Sequence, residues 1–456
     1  MYTETMIKSR ILGLLLILSA SPALAGGEHR LDLPINLSED NPFNSITWNV
    51  LNVNVVQGFP SFQNGIDKVN GTTQYGQKQA LFVGMKLWPG ATVYANPELF
   101  YGYNPSNNIG VASSVNVATA RVESSSPYLQ LQRLFVRQVI DFGGGKVKEE
   151  ENVGGRSIAL ENVINKLSDE SGDHNLVITA GKFGIGDVFD DNIYSHDPSL
   201  HFMNLNFNSL NAIDYAGNAW GTTIGATAEY NREWLSLRAG IFQGSALPPS
   251  NNLDPIPLMT YMAIGELEIR HDWFMGNKGS IKLIPYYGHG FFDVLGGYNG
   301  VRGLWDYLPY FTKENLNRRT DWGVGLNVQQ QLTDGLGLFV RVAYDYRNTD
   351  LKDITHGING GLVFNGKLWN RPDDEFGLAV GVNAQTGSYF RSAFTEFKVG
   401  TGAPNYATEQ NLETYYRFNI TKNTDLTLDY QLIQNPNFLK NSDTAHVFGL
   451  RLRSNF

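Results

Sequence analysis

The chain has 456 residues and a formal charge of −9, from 35 Lys and Arg against 44 Asp and Glu, which argues against a basic nucleic-acid-binding surface. It contains no cysteine, so disulfide frameworks and thiolate metal sites are excluded. Its 48 Gly, 22 Tyr, 26 Phe and 8 Trp suit a curved sheet with tight turns and aromatic interfaces.

Lys8 and Arg10 precede an apolar run from Ile11 to Leu18 and the small-residue site Ala23-Leu24-Ala25. The run is too short to span a bilayer as a helix, so residues 1–25 read as a secretory signal peptide. Residues 26–46 are polar and contain Pro, and are read as a periplasmic N-terminal arm. Residues 47–456 show no linker or shift in composition and are taken as one domain.

Alternating segments then recur at the length of membrane-spanning strands, about 9–11 residues. In order they are Thr47–Val56, Lys78–Leu87, Ala91–Tyr101, Tyr128–Phe142, Asn175–Phe183, Trp220–Tyr230, Trp234–Phe242 and Tyr261–His271. The series continues with Ser280–His289, Asp321–Leu332, Gly337–Tyr346, Gly357–Phe364, Glu375–Ala384, Leu412–Ile420, Asp425–Gln434 and Ala445–Phe456. Short connections rich in Gly, Asn, Asp and Pro, such as Trp88-Pro89-Gly90 and Thr333-Asp334-Gly335, alternate with long ones. This alternation predicts an all-β fold, a transmembrane antiparallel β-barrel of 16 strands with short periplasmic turns and long extracellular loops. Residues 143–174 break the rule, and Ile158, Val163, Ile164 and Leu167 predict one short periplasmic helix there.

Side-chain parity sorts the strand faces. In the last segment Phe448, Leu450, Leu452 and Phe456 share one face with Ser454, and Arg451 and Arg453 the other. The first set is read as lipid-facing and as an assembly signal ending on an aromatic. The arginines are placed in a wet lumen near the periplasmic exit. Arg238, Glu266, Glu268, Arg270, Asn327, Arg341, Asp345, Thr427, Asp429 and Gln431 are assigned to the lumen by the same rule, because a charge on the lipid face near the midplane costs about 2–4 kcal/mol. Arg133 and Arg137 do not share one parity with Leu129 and Leu131, which predicts a bulge near Gln132.

The third long loop combines aromatics with carboxylates and amides, from Gly184 through Asp187, Asp190, Asp191, Tyr194, His196 and Asp197 to Asn206. Aromatic faces stack on sugar rings, and Asp, Asn, Arg and Lys side chains hydrogen-bond hydroxyls. The loop is expected to fold inward and form a constriction with Arg133, Arg137, Lys182 and Arg238. Glu266 and Arg341 are candidates for the same solute-binding region. Asp187, Asp190, Asp191 and Asp197 raise the alternative of a calcium ion, but their spacing is not that of an EF-hand loop. No metal or cofactor is assigned. No nucleophile elbow or phosphate loop appears, so no catalytic residue is assigned.

Three stretches resemble the carbohydrate-selective porins of Gram-negative outer membranes, the OprB type. They are Gly360-Gly361-Leu362 through Trp369-Asn370-Arg371-Pro372-Asp373-Asp374-Glu375, then Glu413–Arg417 with Leu428–Pro436, and Gly181–Asn192 with Phe202-Met203-Asn204. The resemblance implies a sixteen-strand pore passing glucose or related sugars by facilitated diffusion, without chemistry. The expected substrates are small neutral carbohydrates, monosaccharides or polyols. The expected partners are the sugar, outer-membrane lipid and lipopolysaccharide, and the barrel-assembly machinery, with the chain a monomer or homotrimer in the outer membrane. Two rivals are a channel for export or surface binding of an exopolysaccharide, which needs a wide, strongly charged lumen, and a barrel hydrolase, which needs a Ser-His pair.

Overall fold

The computed structural model describes residues 46–64, 68–103, 105, 115–119, 124–144, 160, 172–213, 215–218, 220–245, 252–290, 319–346, 354–384 and 406–456. The signal segment, the arm up to residue 45 and, apart from Leu160, the predicted helix over 157–167 lie outside the described residues.

Sixteen antiparallel strands close into one barrel. They are β1 (Ile46–Phe59), β2 (Thr72–Trp88), β3 (Ala91–Gly102), β4 (Ser124–Asp141), β5 (Asn175–Phe183), β6 (Thr223–Arg232), β7 (Leu235–Gln243) and β8 (Tyr261–Phe274). The circuit continues through β9 (Asn277–Gly290), β10 (Arg319–Thr333), β11 (Leu336–Tyr346), β12 (His356–Asn365), β13 (Glu375–Ala384), β14 (Glu409–Thr421), β15 (Thr424–Gln434) and β16 (Ala445–Asn455). Every expected segment is a strand. Several run further than alternation indicated: β2 begins at Thr72, where polar residues keep pairing with β1. Beyond the hydrocarbon layer a strand needs hydrogen-bond partners but no apolar face.

β16 pairs with β1, from Gly58↔Phe448 to Leu51↔Asn455, and Phe456 and Val50 exchange two backbone hydrogen bonds of 2.9 Å. The sheet therefore has no free edge, as a barrel in lipid requires. Parity holds around the wall. On β7 Ser236 is fully buried while Leu237 is 46% exposed, and on β16 Phe448 is 57% exposed while Arg451 is buried. The bulge lies at Gln132. Asn96 pairs with Arg133 and Pro97 with Leu131, which leaves Gln132 as the extra residue. Leu129 and Leu131 thus face outward and Arg133 still turns inward.

The turn before β13 accounts for the Asn-Arg-Pro-Asp-Asp sequence. The Arg371 guanidinium donates to the Asp374 carboxylate, which also accepts from Asn419 N at 2.9 Å and the Tyr416 hydroxyl at 2.8 Å. The Trp369 indole N–H donates to the same Tyr416 hydroxyl at 2.8 Å. Burial raises the Asp374 carboxyl, but its hydrogen bonds from Arg371, Asn419 and Tyr416 outweigh this and hold it below its ordinary value.

The interior is occupied. The long segment between β5 and β6 folds back into the barrel and packs Phe202 and Phe207 against Phe339, Val363, Ala379 and Tyr415 of the wall. Inward-facing glycines make the room: a Cβ on Gly337 would stand 2.0 Å from the Tyr194 ring, and one on Gly325 2.1 Å from Leu210.

Candidate functional site

The inward loop is held by buried polar clamps, not by apolar packing alone. Asp190, in a left-handed backbone conformation (φ 59°), has no exposed surface. Its carboxylate accepts from Arg341 Nε at 3.0 Å, Asn327 Nδ2 at 2.6 Å, Leu210 N at 2.6 Å and the Tyr215 hydroxyl at 3.1 Å. Its own N–H donates to Glu266 at 2.8 Å. Arg341, on β11, spends its remaining donors on the carbonyls of Asp190, Ser195 and Phe207. An unpaired ion at such a site costs about 3–5 kcal/mol, so both partners are needed.

Further along the loop, Arg451 donates to the carbonyls of Pro198, Leu200 and His201, each at 2.7 Å. Glu413 accepts from the N–H groups of Met203 at 2.5 Å and Asn204 at 3.0 Å. Lys78 reaches Ser199 Oγ at 3.1 Å. Arg451 corrects the expectation that it stands at the periplasmic exit. It lies midway along β16, opposite Val55, and fastens the loop.

Residues 115–119 of the second long connection lie inside the barrel as well. Both Gln57 and Gln431 donate to the Val115 carbonyl, at 3.1 and 2.9 Å, and Val117 N donates to Met203 O at 3.0 Å. Sequence reasoning missed this segment, because Val115-Asn116-Val117-Ala118-Thr119 carries no charge or aromatic to mark it.

Where the loop meets the β3–β4 wall, the side chains keep some exposure to the lumen. Arg133 grips Asp187 with two parallel hydrogen bonds of 2.7 Å, and also donates to Asn96 at 2.8 Å and Glu98 at 3.3 Å. The side chains of Arg133 and Asp187 are 17% and 14% exposed. Burial pushes the Asp187 carboxyl up, but the adjoining Arg133 guanidinium prevails and holds it below its ordinary value. His196 Nε2 donates to Gly186 O at 2.9 Å and braces the same turn. Burial raises Asp197 too, but Lys78 and Arg453 hold it low, while burial lowers the His201 imidazole.

The remaining expected residues separate into groups. Arg238 bridges Glu229 at 3.2 Å and Glu268 at 2.9 Å and also pairs with Glu266, forming a wall network with Arg270 and Lys282. Asp191 sits 3.8 Å from Lys282. Asp190 of the loop and Glu266 and Arg341 of the wall are buried where loop and wall meet, so they position the loop and do not face the open lumen. Arg137 faces inward near the short-turn end and forms no hydrogen bond or ion pair among the described residues. Lys182 is a correction. It lies on the outward face of β5 between Leu134 and Ile224, which are 47% and 59% exposed, and its ammonium donates to Leu131 O at 2.6 Å. Strand alternation continues through Phe183, which points inward and takes Lys182 out of the lumen.

The four loop carboxylates engage different partners, Arg133, Arg341, Lys282 and the Lys78–Arg453 pair, and do not converge. Among the described residues no group of three or more His, Asp or Glu side chains could hold a metal ion. The site can bind and orient hydroxyl groups through mixed donors and acceptors of both signs.

The model of the carbohydrate-selective porin, OprB family, matches residues 83–456. The high-pH structure of Pseudomonas putida OprB superposes with a TM-score of 0.65 at 21% identity, covering 90% of this chain and 94% of that one. The low-pH structure of the same protein gives 0.46 at 16% identity over 90% and 92% of the two chains. The outer membrane channel DcaP of Acinetobacter baumannii gives 0.49 at 9% identity over 90% and 97%. No curated protein sequence matches the chain. With more than half of its length matched by the family model and the same barrel architecture, the chain belongs to the OprB family of carbohydrate-selective porins.

Proposed function

We propose that the chain is an outer-membrane channel for facilitated diffusion of small neutral carbohydrates. The observation that carries this reading is the Arg133–Asp187 pair with Asn96 and Glu98, set where the inward loop meets the β3–β4 wall. Two carboxylates and an amide surround one guanidinium, so donors and acceptors of both signs line the passage. Such a lining exchanges hydrogen bonds with sugar hydroxyls and gives a single ion sign little advantage. The outward band ending in Phe448 and Leu450 suits outer-membrane lipid and lipopolysaccharide. The alternating β16 with Phe456 supplies the signal for the assembly machinery.

Export of an exopolysaccharide requires a wide lumen, and the two loop segments inside the barrel weigh against it. Planar-bilayer recording with glucose titration tests the proposal: glucose should block the current saturably. A channel that never opens, or a current indifferent to high glucose, defeats it.

A further inference from the structure

Two aromatic side chains of the β3–β4 wall, joined by a third from the inward loop, stand on the long-loop side of the Arg133–Asp187 pair. Phe100 and Tyr128 face each other across β3 and β4, with ring centroids 5.7 Å apart and planes 19° from parallel. Trp220, from the end of the inward loop, packs against Tyr128 at 4.8 Å and against Phe100 at 5.4 Å. Phe100 and Trp220 are 5% and 6% exposed, whereas Tyr128 is only half-buried. Tyr128 is thus the one ring of the three that keeps appreciable exposed surface, with Phe100 and Trp220 packed against it.

Its position is set by the register. The Phe100–Tyr128 pair is followed toward the short-turn end by Glu98–Gln130 and then by Asn96–Arg133. Inward side chains on one strand recur every two residues, about 6.6 Å apart, close to the width of a six-membered sugar ring. A ring lying on Tyr128 therefore brings its edge hydroxyls to Glu98 and Gln130, one step before the Arg133–Asp187 pair.

We propose that Tyr128, backed by Phe100 and Trp220, is a stacking platform for pyranose rings on the long-loop side of the constriction. It rests on the sugar-uptake reading above and narrows it. A pyranose has a flat apolar C–H face to lay on an aromatic, whereas an acyclic polyol carries similar hydroxyls without such a face. The channel then favours cyclic monosaccharides over open-chain polyols of equal size.

Liposome swelling with glucose and with sorbitol, run beside glucose block of single-channel current, tests this. Tyr128→Leu keeps bulk but removes the ring face, and should weaken glucose block about tenfold while sorbitol permeation stays unchanged. Tyr128→Phe should behave as wild type. If Tyr128→Leu impairs assembly, judged by heat-modifiable gel mobility, Tyr128→Met replaces it with the same expectation. Equal losses for glucose and sorbitol, or a leucine variant identical to wild type, would overturn the platform while leaving sugar uptake standing. A wild-type channel that glucose does not block removes the uptake reading itself.

Discussion

Asp190 and Arg341 lie 151 residues apart and meet at 3.0 Å inside the barrel, where neither has exposed surface. Arg341→Met would leave the Asp190 carboxylate short of its charge partner and three loop carbonyls short of donors. Loss of one partner of a buried pair costs about 3–5 kcal/mol, which should fall on the loop's attachment and not on the strand ladders. Single-channel recording should show a larger conductance with weaker glucose block, in a barrel that still migrates as a folded species. Unchanged conductance would mean that this clamp does not hold the loop.

Asp187→Asn keeps the shape of the proposed constriction but removes one of the carboxylates that offset Arg133. With only Glu98 left to offset the guanidinium, the reversal potential in a salt gradient should move toward anion preference. Glucose block should weaken, because the Arg133 fork loses the partner that orients it. A reversal potential equal to wild type would separate this pair from the ion path.

The Asp187 carboxyl is depressed in the folded channel, so its contribution is complete above the ordinary carboxylate value near 3.9 and is lost only as pH falls through the lower folded value. The difference in ion selectivity between wild type and Asp187→Asn should persist from pH 8 down to about 4 and vanish in stronger acid. Reversal potentials across that range check it. Disappearance of the difference near pH 6 would contradict the assignment.

Asp374→Ala would strip the turn before β13 of the acceptor shared by Arg371, Tyr416 and Asn419 N. Two of those donors are at least partly shielded from water, and the expected loss is about 1–3 kcal/mol of unfolding free energy, seen as a lower urea midpoint of the barrel. Arg371→Ala, at a side chain 54% exposed, should change the midpoint far less. Equal effects of the two variants would show that the ion pair, not the carboxylate as acceptor, holds the turn.

Removing Phe456 deletes both backbone hydrogen bonds to Val50 and the terminal aromatic. The yield of inserted barrel should fall, while sugar flux per inserted barrel stays the same. Normal insertion with lost flux would place Phe456 in transport instead.

The strands were legible because lipid on one side and water on the other impose a two-residue period that survives locally, even across the Gln132 bulge. The clamps were less so. Arg451 binds main-chain carbonyls, which any sequence supplies, and nothing near Pro198 or Leu200 marks them as its partners. Asp190 and Arg341 were both singled out from composition and parity, but their burial depends on where the loop lands. Lys182 was grouped with the loop because its neighbours are polar and aromatic, and because both faces of the strand, Leu176, Ile178 and Ala180 against Val177, Thr179 and Phe183, are largely apolar, so alternation left its side unmarked. The second loop segment carries only small and amide side chains, so no local pattern announced that it enters the lumen.

The seam between Val50 and Phe456 also bears on how the cylinder comes to exist. Hairpins such as β6–β7 can pair soon after synthesis, because their partners are neighbours in the chain. The ladder that joins β1 to β16 is the most non-local in the molecule, and the entropy of bringing its ends together is met only at closure. Until then two strand edges and the lipid-facing leucines are unprotected, so a soluble intermediate is prone to aggregate. Folding rate should therefore depend more on variants at this seam than on equal changes within a hairpin.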